Sequence, residues 1–187
     1  MSDRILFSNL SQQLIYTPAF AEPFWFPLLR DGVAWRQNQI RVFGQWHMEP
    51  RLTAWFGPAY TYSSVNWPSA PVPDFIQPLF DRVSEHCQFS FNAVLLNYYR
   101  TGQDAMGWHS DNEPEMDTSC IASLSLGQHR LFHLRHRHNG EKLKVILEDG
   151  SLLVMRHFQE QWQHAVPRSK RLMEGRINLT FRRIITP

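Results

Sequence analysis

The sequence predicts a mainly β protein with flanking helices, folded as a double-stranded β-helix (jelly roll). Three observations carry the prediction. Short runs of period-two character crowd the stretch after Phe89: Phe91 to Tyr99, Ile121 to Leu126, Leu131 to Leu134, Leu143 to Leu147, Ser151 to Met155 and Arg176 to Ile185. Asn139-Gly140 and Asp149-Gly150 separate several of these runs, and both dipeptides favour the tight turns that join antiparallel strands. The stretch Arg176-Ile177-Asn178-Leu179-Thr180-Phe181-Arg182 puts every polar side chain at an even number and every apolar one at an odd number, so it is a strand with two unlike faces. Several short strands joined this way suggest a double-sheet jelly roll.

Taken in order, residues up to about Pro50 form a first region rich in Phe, Trp and Pro. Thr17-Pro18 marks a helix start with Phe20, Phe24 and Leu28 on one side, and Pro23 and Pro27 keep that helix short or broken. Ile40 to Gly44 reads as a strand followed by a turn. Arg30, Arg36, Arg41 and Arg51 read as solvated surface or as contacts to a polyanion. Tyr60 and Tyr62 alternate as strand neighbours do. Pro71-Val72-Pro73 is a rigid linker, after which Asp74 or Gln77 caps a helix reaching about His86, with Ile76, Leu79, Phe80 and Val83 at helical spacing.

Length and composition bound the function. The 187 residues fit one domain, and a hydrophobic share of 43% supplies a core. A formal net charge of +2 argues for no partner by itself, so a nucleic-acid surface must be sought in where the charge lies. No apolar run spans a membrane, and the stretch after Met1 has no apolar signal core. Cys87 and Cys120 lack metal-finger spacing; they admit a single structural disulfide, but reduced thiols fit an intracellular protein better.

The chemistry centres on Trp108-His109-Ser110-Asp111. His109 and Asp111 share a face if the stretch is a strand, and a turn also brings such neighbours together. With His164 they supply two imidazole nitrogens and one carboxylate oxygen, the donor set that occupies one face of an octahedral iron and leaves three positions open. In the last strand, a polar face turned inward would bury Arg176 and Arg182, which then require anions. A small dicarboxylate suits a guanidinium fork, and Asn97 and Tyr99, two apart on another strand, add neutral hydrogen bonds. A sheet edge in water shows the same alternation.

At this point the chain resembles the AlkB family of Fe(II)/2-oxoglutarate dioxygenases. The resemblance runs through Asn97-Tyr98-Tyr99, His109-Ser110-Asp111, Ser123-Leu124-Ser125-Leu126-Gly127, His164 before Val166-Pro167, and Arg176 to Arg182. Pro50 to Trp55 and Tyr60 to Ser63 further resemble the human-type homologues that repair DNA. The resemblance implies a single domain, with 1–50 as an N-terminal extension and part of a substrate lid, and 51–187 as the catalytic core with nucleotide-recognition hairpins. It implies His109, Asp111 and His164 as Fe(II) ligands, and Arg176, Asn97, Tyr99, Asn178 and Arg182 as the 2-oxoglutarate residues. It further implies Tyr62, Tyr60, Ser63, Glu113 and Phe43 as substrate residues, Tyr62 stacking an extruded base and Phe43 intercalating. The implied reaction is oxidative demethylation of N-alkylated bases in DNA, of the 1-methyladenine and 3-methylcytosine type. It consumes O2 and releases formaldehyde, succinate and CO2. Apart from the resemblance, a monomer is expected, in the cytoplasm or in the nucleus of a eukaryote.

The backbone partner is expected at Arg130, Arg135, Arg137, Lys142 and Lys144, interleaved with His129, His133, His136 and His138, and at Arg168, Lys170 and Arg171. Rival readings are the same chemistry on RNA or on a protein side chain, a non-catalytic metal-binding jelly-roll module, and a zinc hydrolase.

Overall fold

The computed structural model describes residues 2–42, 44–62, 65–171 and 173–185. The chain runs β1 (Arg4–Ser8), β2 (Gln13–Thr17), α1 (Trp25–Gly32), β3 (Gln39–Val42), β4 (Gln45–Met48), β5 (Leu52–Phe56), β6 (Tyr60–Tyr62), β7 (Val65–Trp67) and α2 (Gln77–Cys87). It continues through β8 (Ala93–Tyr99), β9 (Met106–His109), β10 (Cys120–Gly127), β11 (Arg130–His136), β12 (Lys142–Leu147), β13 (Ser151–Arg156), β14 (Trp162–Val166) and β15 (Arg176–Arg182). A seven-stranded sheet has the order β1-β2-β13-β10-β15-β8-β5, and a four-stranded sheet the order β12-β11-β14-β9. β3–β4 and β6–β7 are separate two-stranded hairpins. The mainly antiparallel architecture, with two helices among the described residues, is the jelly roll expected from the alternating runs.

Two cores follow from the period of two. Odd-numbered residues of β15 (Ile177, Leu179, Phe181) and even-numbered ones of β8 and β10 (Val94, Leu96, Ala122, Leu124, Leu126) face the helices, where they meet Trp25, Leu29, Leu79, Phe80 and Val83. The opposite face of the large sheet (Leu95, Tyr99, Leu153, Met155) meets Phe132, Leu134, Val145, Leu147 and Val166 of the small sheet. Each fully buried Leu or Phe contributes about 1.5–3 kcal/mol of transfer free energy. All seven residues of β15 are buried, so its polar face is interior and not a wet edge.

Several expectations are corrected. The stretch before Thr17-Pro18 is strand: β2 pairs with β13 in the large sheet and buries Leu14 and Tyr16. The helix does not open there, because Ala19 takes a positive φ of 49° and the N–H of Ala21 donates to the carbonyl of Gly150 at 2.9 Å. The chain turns helical only at Trp25, past Pro23. α2 begins as predicted with Pro78 in its first turn, but Ile76 holds the cap position and neither Asp74 nor Gln77 caps it. Cys87 and Cys120 are buried free thiols. No helix among the described residues is long and apolar enough to cross a membrane.

Gly150 shows why the Asp149-Gly150 turn needs its glycine. Its φ is +68°, and a Cβ there would run into the carbonyl oxygen of Ala21. The turn between β12 and β13 thereby fixes the entry to the helical layer.

Candidate active site

The cleft between the two sheets is lined from the large sheet by Leu95, Asn97, Tyr99, Ser123, Met155, Arg176, Asn178, Thr180 and Arg182. From the opposite side come Met106, His109, Asp111, Phe132, His164 and Val166. The register explains the convergence. Arg176 lies opposite Tyr99, Asn178 opposite Asn97 and Thr180 opposite Ser123, so one row of inward positions crosses three strands.

At the mouth, His109 ends β9 and pairs across the ladder with His164 on β14. Their rings stand 4.2 Å apart at 67°. Asp111 lies just past the strand in a bend, so the turn alternative places it. One donor atom each of His109, Asp111 and His164 lies within 4.8 Å of the others. The Nδ1 of His109 lies 2.8 Å from the carbonyl of Gly107 and donates to it, which leaves Nε2 as the ligating atom. Burial pushes the imidazolium of His164 down to about 3, and burial lowers His109 as well, so both rings are neutral at physiological pH. The 3.8 Å approach of His164 Nε2 to Asp111 Oδ2 is therefore not an ion pair but two donors aimed at a common point.

Asp111 divides its oxygens. Oδ1 accepts from Arg182 Nη2 at 2.6 Å, while Oδ2 faces His164. Burial alone would raise this carboxyl, but the Arg182 guanidinium brings it below the usual carboxylate range. Its backbone N–H donates to Gln159 Oε1 at 3.1 Å, and the neighbouring Ser110 hydroxyl donates to the carbonyl of Trp162 at 2.7 Å. Arg137 Nη2 in turn donates to that hydroxyl at 2.8 Å. The bend is thus pinned from three sides.

At the inner end, Arg176 is 1% exposed. Its Nη2 donates to Ser125 Oγ at 2.9 Å and its guanidinium lies 5.2 Å from the Tyr99 ring centroid. Nε and Nη1 are buried without a hydrogen-bond partner among the described residues. Burial lowers this guanidinium to about 10, still charged at neutral pH. An unmatched buried fork is costly unless a carboxylate completes it, so the residues fit a bound dicarboxylate. The two neutral imidazoles and the ionised carboxylate fit a divalent first-row metal with open positions.

The other predicted residues divide. Asn97 lines the cleft, but its Oδ1 accepts from Arg51 Nε at 2.7 Å. Asn178 also lines it, with its amide donating to Ser123 Oγ and the carbonyl of Leu124 and its Oδ1 accepting from Thr180. The anion that Arg182 meets is Asp111, inside the chain, so a single diacid need not serve both arginines. Glu113 is half-buried two residues beyond Asp111. Tyr60 and Tyr62 belong to β6, opposite Trp67 and Val65, with their side chains outside the described set. Phe43 and Ser63 lie outside the described residues.

The basic patch is smaller than expected. Arg130 is not a surface cation: it is 2% exposed and donates to the carbonyls of Thr101, Asp104 and Pro167, because its even-numbered position points inward with Phe132 and Leu134. Lys142, Lys144, Arg168, Lys170 and Arg171 are exposed. Arg51, expected on the surface or at a polyanion, is 5% exposed and pairs with buried Glu49 at 2.9 Å. Gln159 was missed because its partner Asp111 is distant in sequence, and the Arg51–Glu49 pair because its burial against Asn97 has no local signal. Ser123 and Ser125 had a signal, polar residues alternating in an apolar strand.

A family model described as the 2OG-Fe(II) oxygenase superfamily matches residues 11–182. The alpha-ketoglutarate-dependent dioxygenase alkB homolog 3 of Rattus norvegicus is 39% identical over 172 residues, covering 83% of this chain and 57% of its own length. The Homo sapiens protein of that name is 38% identical over 169 residues, covering 83% and 59%. The DNA oxidative demethylase ALKBH2 of Bos taurus is 39% identical over 160 residues, covering 79% and 58%. The chain therefore spans less than two thirds of the length of these relatives.

Proposed function

The chain belongs to the 2OG-Fe(II) oxygenase superfamily, and from that premise we propose that it oxidatively demethylates N-alkylated bases in DNA, of the 1-methyladenine and 3-methylcytosine type. One observation carries the reading: a two-histidine, one-carboxylate cluster at one end of a cleft whose other end holds an arginine fork with two unmet donors. The names of the relatives, a DNA oxidative demethylase among them, supply the substrate class.

In this reading His109, Asp111 and His164 hold Fe(II), and Arg176 holds the distal carboxylate of 2-oxoglutarate. Iron, 2-oxoglutarate and dioxygen together supply the oxidation that turns an N-methyl group into formaldehyde, with succinate and CO2 as the other products. The protein's own work is orientation and exclusion of water. Ser125 fixes the Arg176 fork from one side and Tyr99 underlies it. Arg182 holds Asp111 Oδ1 and so aims Oδ2 at the metal position. Leu95, Phe132, Met155 and Val166 form apolar walls that keep solvent out. Asn97, Asn178 and Thr180 line the wall between the two ends.

The base must leave its stack to reach this cleft, and a base methylated on its pairing edge costs least to extrude. We assign its reading to Tyr62, Tyr60, Ser63 and Glu113, and its replacement in the stack to Phe43. We read the β3–β4 hairpin, within the first 50 residues, as part of a substrate lid, a reading supported by the bridge from Arg36 to Thr53 that ties the stretch before it to β5. Two buried free thiols suit a reducing compartment, the cytoplasm or nucleus where DNA lies.

The test is formaldehyde and succinate release with Fe(II), 2-oxoglutarate and a panel of methylated DNA and RNA oligonucleotides. Release from 1-methyladenine or 3-methylcytosine in DNA, lost in Asp111→Ala, supports the reading. Turnover on RNA alone changes the substrate, and absence of succinate from every member of the panel overturns the reading.

A further inference from the structure

The outward face of the small sheet takes no part in the chemistry above. Its residues follow from the register: Trp108 on β9, Gln163 and Ala165 on β14, Leu131, His133 and Arg135 on β11, and Lys142, Lys144 and Ile146 on β12. The four strands contain no aspartate or glutamate. Trp108, immediately before His109, is 40% exposed. An indole at that exposure on an edge strand normally has rotamer freedom to lose on binding. Here it is held. The Arg135 guanidinium lies 4.3 Å from the ring centroid, and its Nε and Nη2 both donate to Gln163 Oε1, at 3.0 and 2.8 Å. Lys142 and Lys144 are exposed on the far strand of the same face.

We propose that Trp108 is a stacking platform for a nucleotide flanking the extruded base, with Arg135, Lys142 and Lys144 meeting the phosphates of the same single strand. The proposal rests on the nucleic-acid reading of the site and extends it to the strand beyond the target base. His109 and Trp108 are consecutive and point to opposite sides of β9, which is the edge of its sheet. A strand that delivers one base toward His109 therefore passes the edge where the indole is fixed. A cation-rich face without carboxylates, carrying one immobilised aromatic plane, matches a polyanion with planar bases.

The experiment measures fluorescence anisotropy of a labelled, unmethylated DNA dodecamer titrated with the full chain, which needs no turnover. Trp108→Ala is expected to weaken binding roughly five- to hundredfold, the range spanned when one base loses its aromatic platform. Trp108→Phe is expected to retain most of the affinity. Lys144→Glu, at an exposed position that the fold tolerates, is expected to weaken binding and to lower the salt slope by about one. An alanine variant that binds as wild type, a phenylalanine variant that falls as far as the alanine one, or an unchanged slope in Lys144→Glu overturns the platform and returns the face to solvent or to a protein partner. Wild type that binds the dodecamer but releases no formaldehyde from any methylated strand overturns the demethylase reading instead, so the two failures are distinct.

Discussion

The two ends of β15 bury a guanidinium each and treat it differently. At Arg182 the balancing anion is built into the chain: Asp111 accepts from it at 2.6 Å, and both side chains are 2% exposed. At Arg176 the chain offers the Ser125 hydroxyl and the face of Tyr99, and no carboxylate pairs with it among the described residues. Burying a charge without its partner costs several kcal/mol, on the order of 3–5 when one member of a buried pair is deleted. One arginine is therefore part of the fold's own electrostatics, and the other is held in readiness for something that arrives with a carboxylate.

The largest effect is expected from Arg182→Met. It leaves Asp111 buried beside two neutral imidazoles and should lower the unfolding free energy of the metal-free protein by about 3–5 kcal/mol in urea titration. A loss under about 1 kcal/mol, the range of an exposed pair, would erase the contrast. Arg176→Met should behave oppositely. Without ligands the variant should be no less stable than wild type, because an uncompensated charge has been replaced by an apolar side chain. It should also lose the stabilisation that 2-oxoglutarate gives wild type, about 2.7 kcal/mol at a hundredfold excess over Kd, read as a thermal shift. Ser125→Ala sharpens the same point on a smaller scale. Removing the Ser125 hydroxyl, which accepts from Arg176 Nη2, should cost about 1 kcal/mol of 2-oxoglutarate affinity, roughly fivefold in Kd.

The smallest effect is at Arg100 with Asp104, a pair that reaches solvent through the arginine: its side chain is 40% exposed and that of the aspartate 9%. Burial raises the Asp104 carboxyl, but hydrogen bonds from Arg100 outweigh it and the pKa is lowered. A lowered carboxylate pKa contributes stability above the unfolded value near 3.9, and that contribution is lost as pH falls through the folded value. Asp104→Asn should thus lower the unfolding free energy by about 1 kcal/mol or less at pH 7, with the gap to wild type closing below about pH 4. A gap that widens on acidification would contradict the assignment.

Much of this was legible before the structure, and for a physical reason. The alternation in β15 is a local pattern with a fixed geometric meaning, so both its faces could be read from seven letters. The Asn139-Gly140 and Asp149-Gly150 turns are local in the same sense. What failed was whatever depended on strand pairing or on burial. Thr17-Pro18 carries a helix signal that the pairing of Gln13–Thr17 with β13, more than a hundred residues on, overrides. Arg130 looks like its basic neighbours in sequence, and only the parity of β11 sends it inward to three carbonyls. Arg51 and Glu49 appear as two opposite surface charges until Asn97, Thr53 and Asn38 close around them. Gln159 carries no sequence signal at all, since its task is to accept one N–H from Asp111.

β9 is four residues long, sits at the rim of its sheet, and joins β14 through a register irregularity between His164 and Val166. Such a strand is the kind that frays first, because few neighbours hold its amides. Yet it carries His109, and its ladder partner carries His164. A cation gripped by both would act as a rivet across the weakest seam of the sandwich, so loading the centre also decides whether that flank of the molecule is closed.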